Sequence, residues 1–348
     1  MAQTTGHGSL ALRWVQVLLR RPKTGSTGTS AEWLDRRVLF FGGKGGVGKT
    51  TAATAFSLLS AARGSNTLLV STDPAHSSGD ILERKLAGGI QRVRENLWVL
   101  ELDSEEEADR YIQSVSHTIR GQVKPALRSE IDRQIRMARV SPGAQEAALF
   151  DRIAELIERS EGEYDRIIFD TAPTGHTIHL LALPEMMEAW VDGLISRRKQ
   201  VNEMSALWKN MTVGTGAETS DDPVERVLQE RKRKFARMRR VLLDELQTAF
   251  IFVLNPERLP ILETEKAIHM LTEHKVPVGG IVINRVLPED IPDHAFFQAR
   301  KRQEAEYLKD IERRFARMAT LKLPLLDRDV VGEFALEQIV GHLRSALE

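Results

Sequence analysis

Val38-Leu39-Phe40-Phe41-Gly42-Gly43-Lys44-Gly45-Gly46-Val47-Gly48-Lys49-Thr50-Thr51 is the stretch on which the reading of the whole chain depends. Its apolar start reads as a buried strand, and Ala52 to Leu59 reads as the opening of a helix. The loop between them has the spacing G-x-x-x-x-G-K-[ST] from Gly43 to Thr50, a phosphate-binding pattern. Glycines at 43, 45, 46 and 48 let backbone N–H groups wrap an anion without Cβ clashes. The following helix adds the partial positive charge of its N-terminus. Lys49 can reach the β- and γ-phosphates, and Thr50 offers a hydroxyl to Mg²⁺. Gly43, Lys44, Gly45, Gly46, Val47, Gly48, Lys49, Thr50 and Thr51 are therefore the candidate nucleotide-binding set. Lys44, at the second position, makes this the deviant form G-K-G-G-x-G-K-[ST]; phosphates held by its own loop do not need a second lysine.

Outward from the loop, Thr67 to Thr72 is a second strand, ending in Asp73-Pro74-Ala75-His76. A carboxylate at the C-terminal end of a strand lies at the mouth of a parallel sheet, where Asp73 can orient an attacking water near the γ-phosphate. Tyr164 to Asp170 is an apolar run ending in aspartate, and Asp170 is placed to hold Mg²⁺, through water. Thr50, Asp73 and Asp170 are thus the candidate oxygen donors around the metal. Thr171 to Thr177 follows as a Pro/Gly-containing loop suited to a hydrolysis-sensitive switch.

Leu97–Leu102, Thr248–Leu254, Val278–Arg285 and Leu321–Leu326 read as further strands. Helical periodicity lies between them: Tyr111, Ile112, Val115 and Ile119; Leu149, Ile153, Leu156 and Ile157; Phe235, Met238, Val241 and Leu242. Leu183, Met186, Met187, Trp190, Val191, Leu194 and Ile195 form one apolar stripe, readable as ordinary packing or as an adaptable hydrophobic surface. Asn284, closing its strand, can present an amide donor and acceptor to an adenine edge. Strands alternating with helices predict an α/β fold: a doubly wound, mostly parallel sheet of the P-loop NTPase type with an inserted α-helical subdomain.

The chain has 348 residues and a formal net charge of +0. That balance argues against a general nucleic-acid binder, although Arg231 to Arg240 is locally basic. The chain contains no cysteine, which excludes disulfides, thiolate metal sites and thiol nucleophiles. No window approaches a membrane span. The first 35 residues read as a basic extension. Leu10 to Arg21 could form an amphipathic helix for a membrane surface or a partner, could belong to a transit peptide, or could be a plain tail.

In order, these motifs resemble the arsenical-pump (anion-transporting) ATPases, a family that includes the targeting ATPase for tail-anchored membrane proteins. The resemblance is carried by Gly43–Thr50, Ser71-Thr72-Asp73-Pro74-Ala75-His76, Asp170-Thr171-Ala172-Pro173-Thr174-Gly175-His176-Thr177, and Pro256-Glu257 to Glu263-Thr264-Glu265. It implies an Mg²⁺-dependent ATPase domain over 36–348, with a helical subdomain from about 104–160 and 180–243. It implies a homodimer in which Lys44 acts in trans on the partner's nucleotide. Lys49 and Asp73 join Lys44 as catalytic residues, Glu257 and Asn284 lie near the nucleoside, and Pro324 packs by the base. It further implies a hydrophobic tail-anchored client or a membrane receptor or channel, and a cytoplasmic location, peripheral to a membrane or within an organelle stroma or matrix.

Two departures qualify the resemblance. Family members of the targeting type clamp their dimer with a cysteine pair and zinc, where this chain reads His294-Ala295-Phe296-Phe297. Members of the arsenite type bind arsenite through cysteine thiolates, which are absent here. The leading expectation is a client-delivering ATPase. The alternatives are the soluble motor of an anion efflux pump and a DNA- or membrane-positioning ATPase of the partition type.

Overall fold

The computed structural model describes residues 29–73, 77–86, 88–120, 144–159, 162–171, 196, 223–290 and 293–347. Among them, eight strands form one sheet in the order β3-β4-β2-β5-β1-β6-β7-β8. These are β1 Val38–Gly42, β2 Thr67–Ser71, β3 Gln91–Arg94, β4 Leu97–Glu101, β5 Arg166–Asp170, β6 Thr248–Leu254, β7 Val278–Val286 and β8 Ala319–Pro324. Every neighbouring pair is parallel except β3 and β4. The helices are α1 Lys49–Ala62, α2 Ser77–Leu82, α3 Ser104–Arg120, α4 Ala144–Arg159, α5 Pro223–Leu243, α6 Arg258–Glu273, α7 Ala295–Arg314 and α8 Gly332–Leu347. The doubly wound α/β class read from the sequence is the fold observed.

The strand sequences explain the layering. β1 and β6 are buried along their whole length, so each alternates between two cores. Val38, Phe40, Phe250, Phe252 and Leu254 face one side, where Phe40 stacks on Phe169 with ring centroids 4.7 Å apart. That side is covered by α4, α5, α6 and α7 through Phe150, Phe235, Ile261 and Ile311. Leu39, Phe41, Ile251 and Val253 face the other side, covered by α1 and α8 through Phe56, Leu59, Leu336 and Leu343. β1 lies between β5 and β6, so the loop after it opens at the carboxyl edge of the central strands.

Two of the helical periodicities that fall on described residues pack as read, and in the third, on α3, Tyr111 and Ile112 are part-buried. Leu149, Ile153, Leu156 and Ile157 of α4 are buried, as are Phe235, Met238 and Leu242 of α5. The basic face of α5 is partly engaged by α4: Lys234 pairs with Asp151 at 2.9 Å and Arg237 with Glu158 at 2.8 Å. Part of the basic run therefore joins helices rather than presenting charge to a polyanion. Among the described residues no helix is long and apolar enough to cross a membrane. The N-terminal amphipathic segment, the Thr171–Thr177 switch beyond Thr171 and the stripe from Leu183 to Ile195 lie outside the described residues.

A 3-10 turn at Ser30–Asp35 packs against the start of β7. Trp33 is buried there and donates its indole N–H to the Gly279 carbonyl at 3.0 Å. Arg166, at the start of β5, is buried and donates to the carbonyls of Arg36 and Leu34 and to the Ser60 hydroxyl. Burial pushes its pKa down to about 10, which still leaves it charged at neutral pH.

Candidate functional site

The glycine loop owes its shape to two close approaches. A Cβ on Gly43 would stand 2.2 Å from the Val253 carbonyl oxygen, and one on Gly48 2.2 Å from Asn284 Nδ2. Gly48 also takes φ 91°, which a side chain would strain, and its carbonyl accepts from Ala52 N–H at 3.0 Å to start α1. Around Gly45 and Gly46 there is open space where a Cβ would stand, so the loop's upper face is free for an anion. The Val47 side chain anchors the loop in the core, 2% exposed.

Lys49 is buried, and its ammonium donates to the Lys44 carbonyl at 3.3 Å. Burial pulls its pKa down, while Asp170 and Asp73 push it back up. Asp170, the last residue of β5, is fully buried, and neither carboxylate oxygen has a hydrogen-bond partner of ordinary geometry. Burial pushes its pKa up to about 7; the neighbouring Thr50 hydroxyl and Lys49 ammonium act in the opposite sense, and Asp73 adds to the rise. The strand end is held firmly, with Thr171 Oγ1 donating to the Phe41 carbonyl at 2.7 Å and Thr72 N–H to the Asp170 carbonyl at 2.9 Å. Asp73 follows directly, its N–H 3.4 Å from Ser71 Oγ.

A buried carboxylate whose oxygens lack a hydrogen bond of ordinary geometry can accept a further cation. Among the described residues no group of three His, Cys, Asp or Glu could hold a metal by itself. The donor set of Asp170 and Thr50 therefore fits Mg²⁺, which is bound by few protein oxygens and completed by water and phosphate.

The nucleoside candidates fall into place differently. Asn284 is buried and donates its amide N–H to the Val47 carbonyl at 2.8 Å. It thus braces the phosphate loop from below, which the sequence reading as an adenine-edge reader did not include. Glu257 lines a cleft with Arg285 and Leu325, the residues following Asn284 and Pro324. Arg300, Gln303 and Tyr307 of α7 form its outer wall. No sequence signal marked these three, because α7 is polar along most of its length. Lys44, the half-exposed second lysine, is paired with Glu263 of α6.

The sequence profile of the anion-transporting ATPases matches residues 36–345, nearly the whole chain. This chain belongs to that family. A protein of Aquifex aeolicus provisionally named arsenical pump-driving ATPase 2 is 35% identical over 302 residues, covering 87% of this chain and 97% of that one. ATPase ASNA1 homolog 1 of Paramecium tetraurelia is 31% identical over 307 residues, covering 86% and 90%. ATPase GET3C of Arabidopsis thaliana is 28% identical over 317 residues, covering 87% and 81%. As an anion-transporting ATPase family member, the chain is a nucleotide-binding, ATP-hydrolysing enzyme.

Proposed function

We propose that this ATPase works as a homodimer that closes on Mg·ATP and couples hydrolysis to the binding or delivery of a hydrophobic membrane-protein segment. The carrying observation is the divergence of the two loop lysines. Lys49 is tucked against the loop's own backbone, while the Lys44 side chain is 35% exposed and leaves the loop toward α6. One lysine serves the phosphates of its own cradle; the other is available to a second copy, as an arginine finger is to its partner's nucleotide.

In this reading the amides of Gly43–Thr51 cradle the phosphates, and Lys49 neutralises the β- and γ-groups. Thr50 and Asp170, with Asp73 beside them, would hold Mg²⁺, which when bound would supply charge stabilisation for the phosphate oxygens. Asp73 orients the attacking water. Glu257 and Pro324 flank the nucleoside, with Asn284 steadying the loop beneath. The segments read as the helical subdomain, about 104–160 and 180–243, would carry the client surface on faces that α4 and α5 do not use to cover the sheet.

Kinship with proteins named ASNA1 and GET3 supports the reading of a tail-anchored client. The name of the Aquifex relative supports the second reading, a pump motor. Against thiolate-mediated arsenite activation stands the absence of cysteine. Hydrolysis that is unchanged by arsenite and stimulated by a hydrophobic tail peptide would favour the first reading, and the reverse the second.

Light scattering tests the dimer. With ADP and a transition-state mimic of phosphate, the mass should approach twice 39.2 kDa. A mass that stays at one chain under those conditions would overturn it.

A further inference from the structure

Lys44 leaves the phosphate loop and meets Glu263 of α6, Nζ to Oε1 3.0 Å, with the two side chains 35% and 44% exposed. The acid two residues further on behaves differently. Glu265 pairs with Arg314 of α7 at 2.6 Å, and Thr264 between the two acids is buried. Glu263-Thr264-Glu265 is thus split by the helical turn: one acid ties α6 to α7, and the other reaches back to the catalytic loop. The core contacts of α6 come from Ile261, Ala267, Ile268 and Leu271, to which Glu263 adds nothing. A half-exposed ion pair is screened and contributes little to folding, so stability is a weak reason for Glu263 to stand there.

We infer that Glu263 is a positioning residue for the hydrolytic reaction: it parks the Lys44 ammonium on its own subunit until the triphosphate of a second copy draws it away. The inference rests on the reading that Lys44 acts across a subunit boundary. The exchange has a direction. A single carboxylate in partial contact with water competes against the several negative oxygens of a triphosphate in a closed interface, where screening is weaker. Without that triphosphate the carboxylate recovers the lysine. The parked pair therefore sets a threshold for closure, and its removal should make closure easier without touching the chemistry.

Two measurements on the full chain test this. In the first, Lys44 of the nucleotide-free protein is acetylated with N-hydroxysuccinimidyl acetate and its rate read by peptide mass spectrometry, with Lys275 as internal standard. Glu263→Gln should raise the Lys44 rate about two- to five-fold, the range of a half-exposed pair, and Glu265→Gln should not. In the second, steady-state hydrolysis should show KM for ATP falling by a similar factor in Glu263→Gln with kcat little changed. Glu263→Asp should restore the wild-type KM. In a Lys44→Gln background, Glu263→Gln should leave the nucleotide concentration that gives half-maximal dimer in light scattering unchanged. An unchanged Lys44 labelling rate, or a shift in that concentration that persists without Lys44, would overturn the inference. Wild-type turnover by Lys44→Gln alone would instead sink the trans-lysine reading, and it is read from a different variant.

Discussion

Asp170→Asn is expected to abolish Mg²⁺-dependent ATP hydrolysis and, in the same molecule, to stabilise the nucleotide-free chain above pH 7. Asp170 is buried, neither of its oxygens has a hydrogen bond of ordinary geometry, and burial lifts its pKa from 3.8 to about 7 against the opposing Thr50 hydroxyl and Lys49 ammonium. A carboxyl whose folded pKa is raised binds its proton more tightly in the folded chain than in the unfolded one. Its contribution to stability is therefore intact below about pH 4, is lost progressively as pH rises to about 7, and stays lost above that. A rise of roughly three units corresponds to a cost on the order of 2–4 kcal/mol at pH 8. Asparagine keeps the shape and carries no charge, so it escapes that cost. Chemical denaturation of both proteins should show a stability gap that widens between pH 5 and pH 8. Hydrolysis should fall roughly 10²-fold or more, since a charge-stabilising group is lost. An Asn variant that is less stable at pH 8, or that retains wild-type turnover, would contradict the assignment.

Lys49→Met is expected to have the largest effect on hydrolysis of any change in the loop. The ammonium is buried beside Asp170 and Asp73, which hold its pKa up against desolvation. Removing it takes away the phosphate counter-charge and leaves those two acids uncompensated. Turnover should drop about 10²- to 10³-fold, with nucleotide affinity reduced as well. Lys49→Arg should not rescue, because a planar guanidinium does not fit the space of a compact ammonium lying on the Lys44 carbonyl. Steady-state hydrolysis and a fluorescent-nucleotide titration check this; wild-type turnover by either variant would refute it.

The parts of the fold that were legible from residues are those whose local pattern and tertiary setting agree. β1, β2, β5 and β6 are buried on both faces, and that survives in sequence as runs that are apolar between their end residues. β3 gave no such signal: Gln91–Arg94 is an antiparallel strand beside β4, exposed at alternate positions. Asp170 and the loop lysines were legible because phosphate chemistry demands those types at those spacings. The Glu263 contact was not, because nothing in a helix's own sequence says which of two neighbouring acids faces a distant loop. Asn284 was placed at the right strand end, but its amide donor goes to the Val47 carbonyl, an interaction set by how closely β7 approaches Gly48. Arg166 reads as the polar start of a strand, and only the fold reveals that its guanidinium is buried and donates to backbone carbonyls such as that of Arg36.

The central claim, that each nucleotide is completed by Lys44 of the other copy, is tested most directly by mixing two inactive variants. Lys44→Ala retains a whole cradle but donates no lysine, and Lys49→Met has a broken cradle but keeps Lys44 to donate. Each alone should be nearly silent. Mixed one to one and allowed to exchange, they should recover about a quarter of the wild-type rate, since half of randomly paired dimers are mixed and each has one complete site. A mixture no more active than its components, although shown to form mixed dimers, would contradict the account.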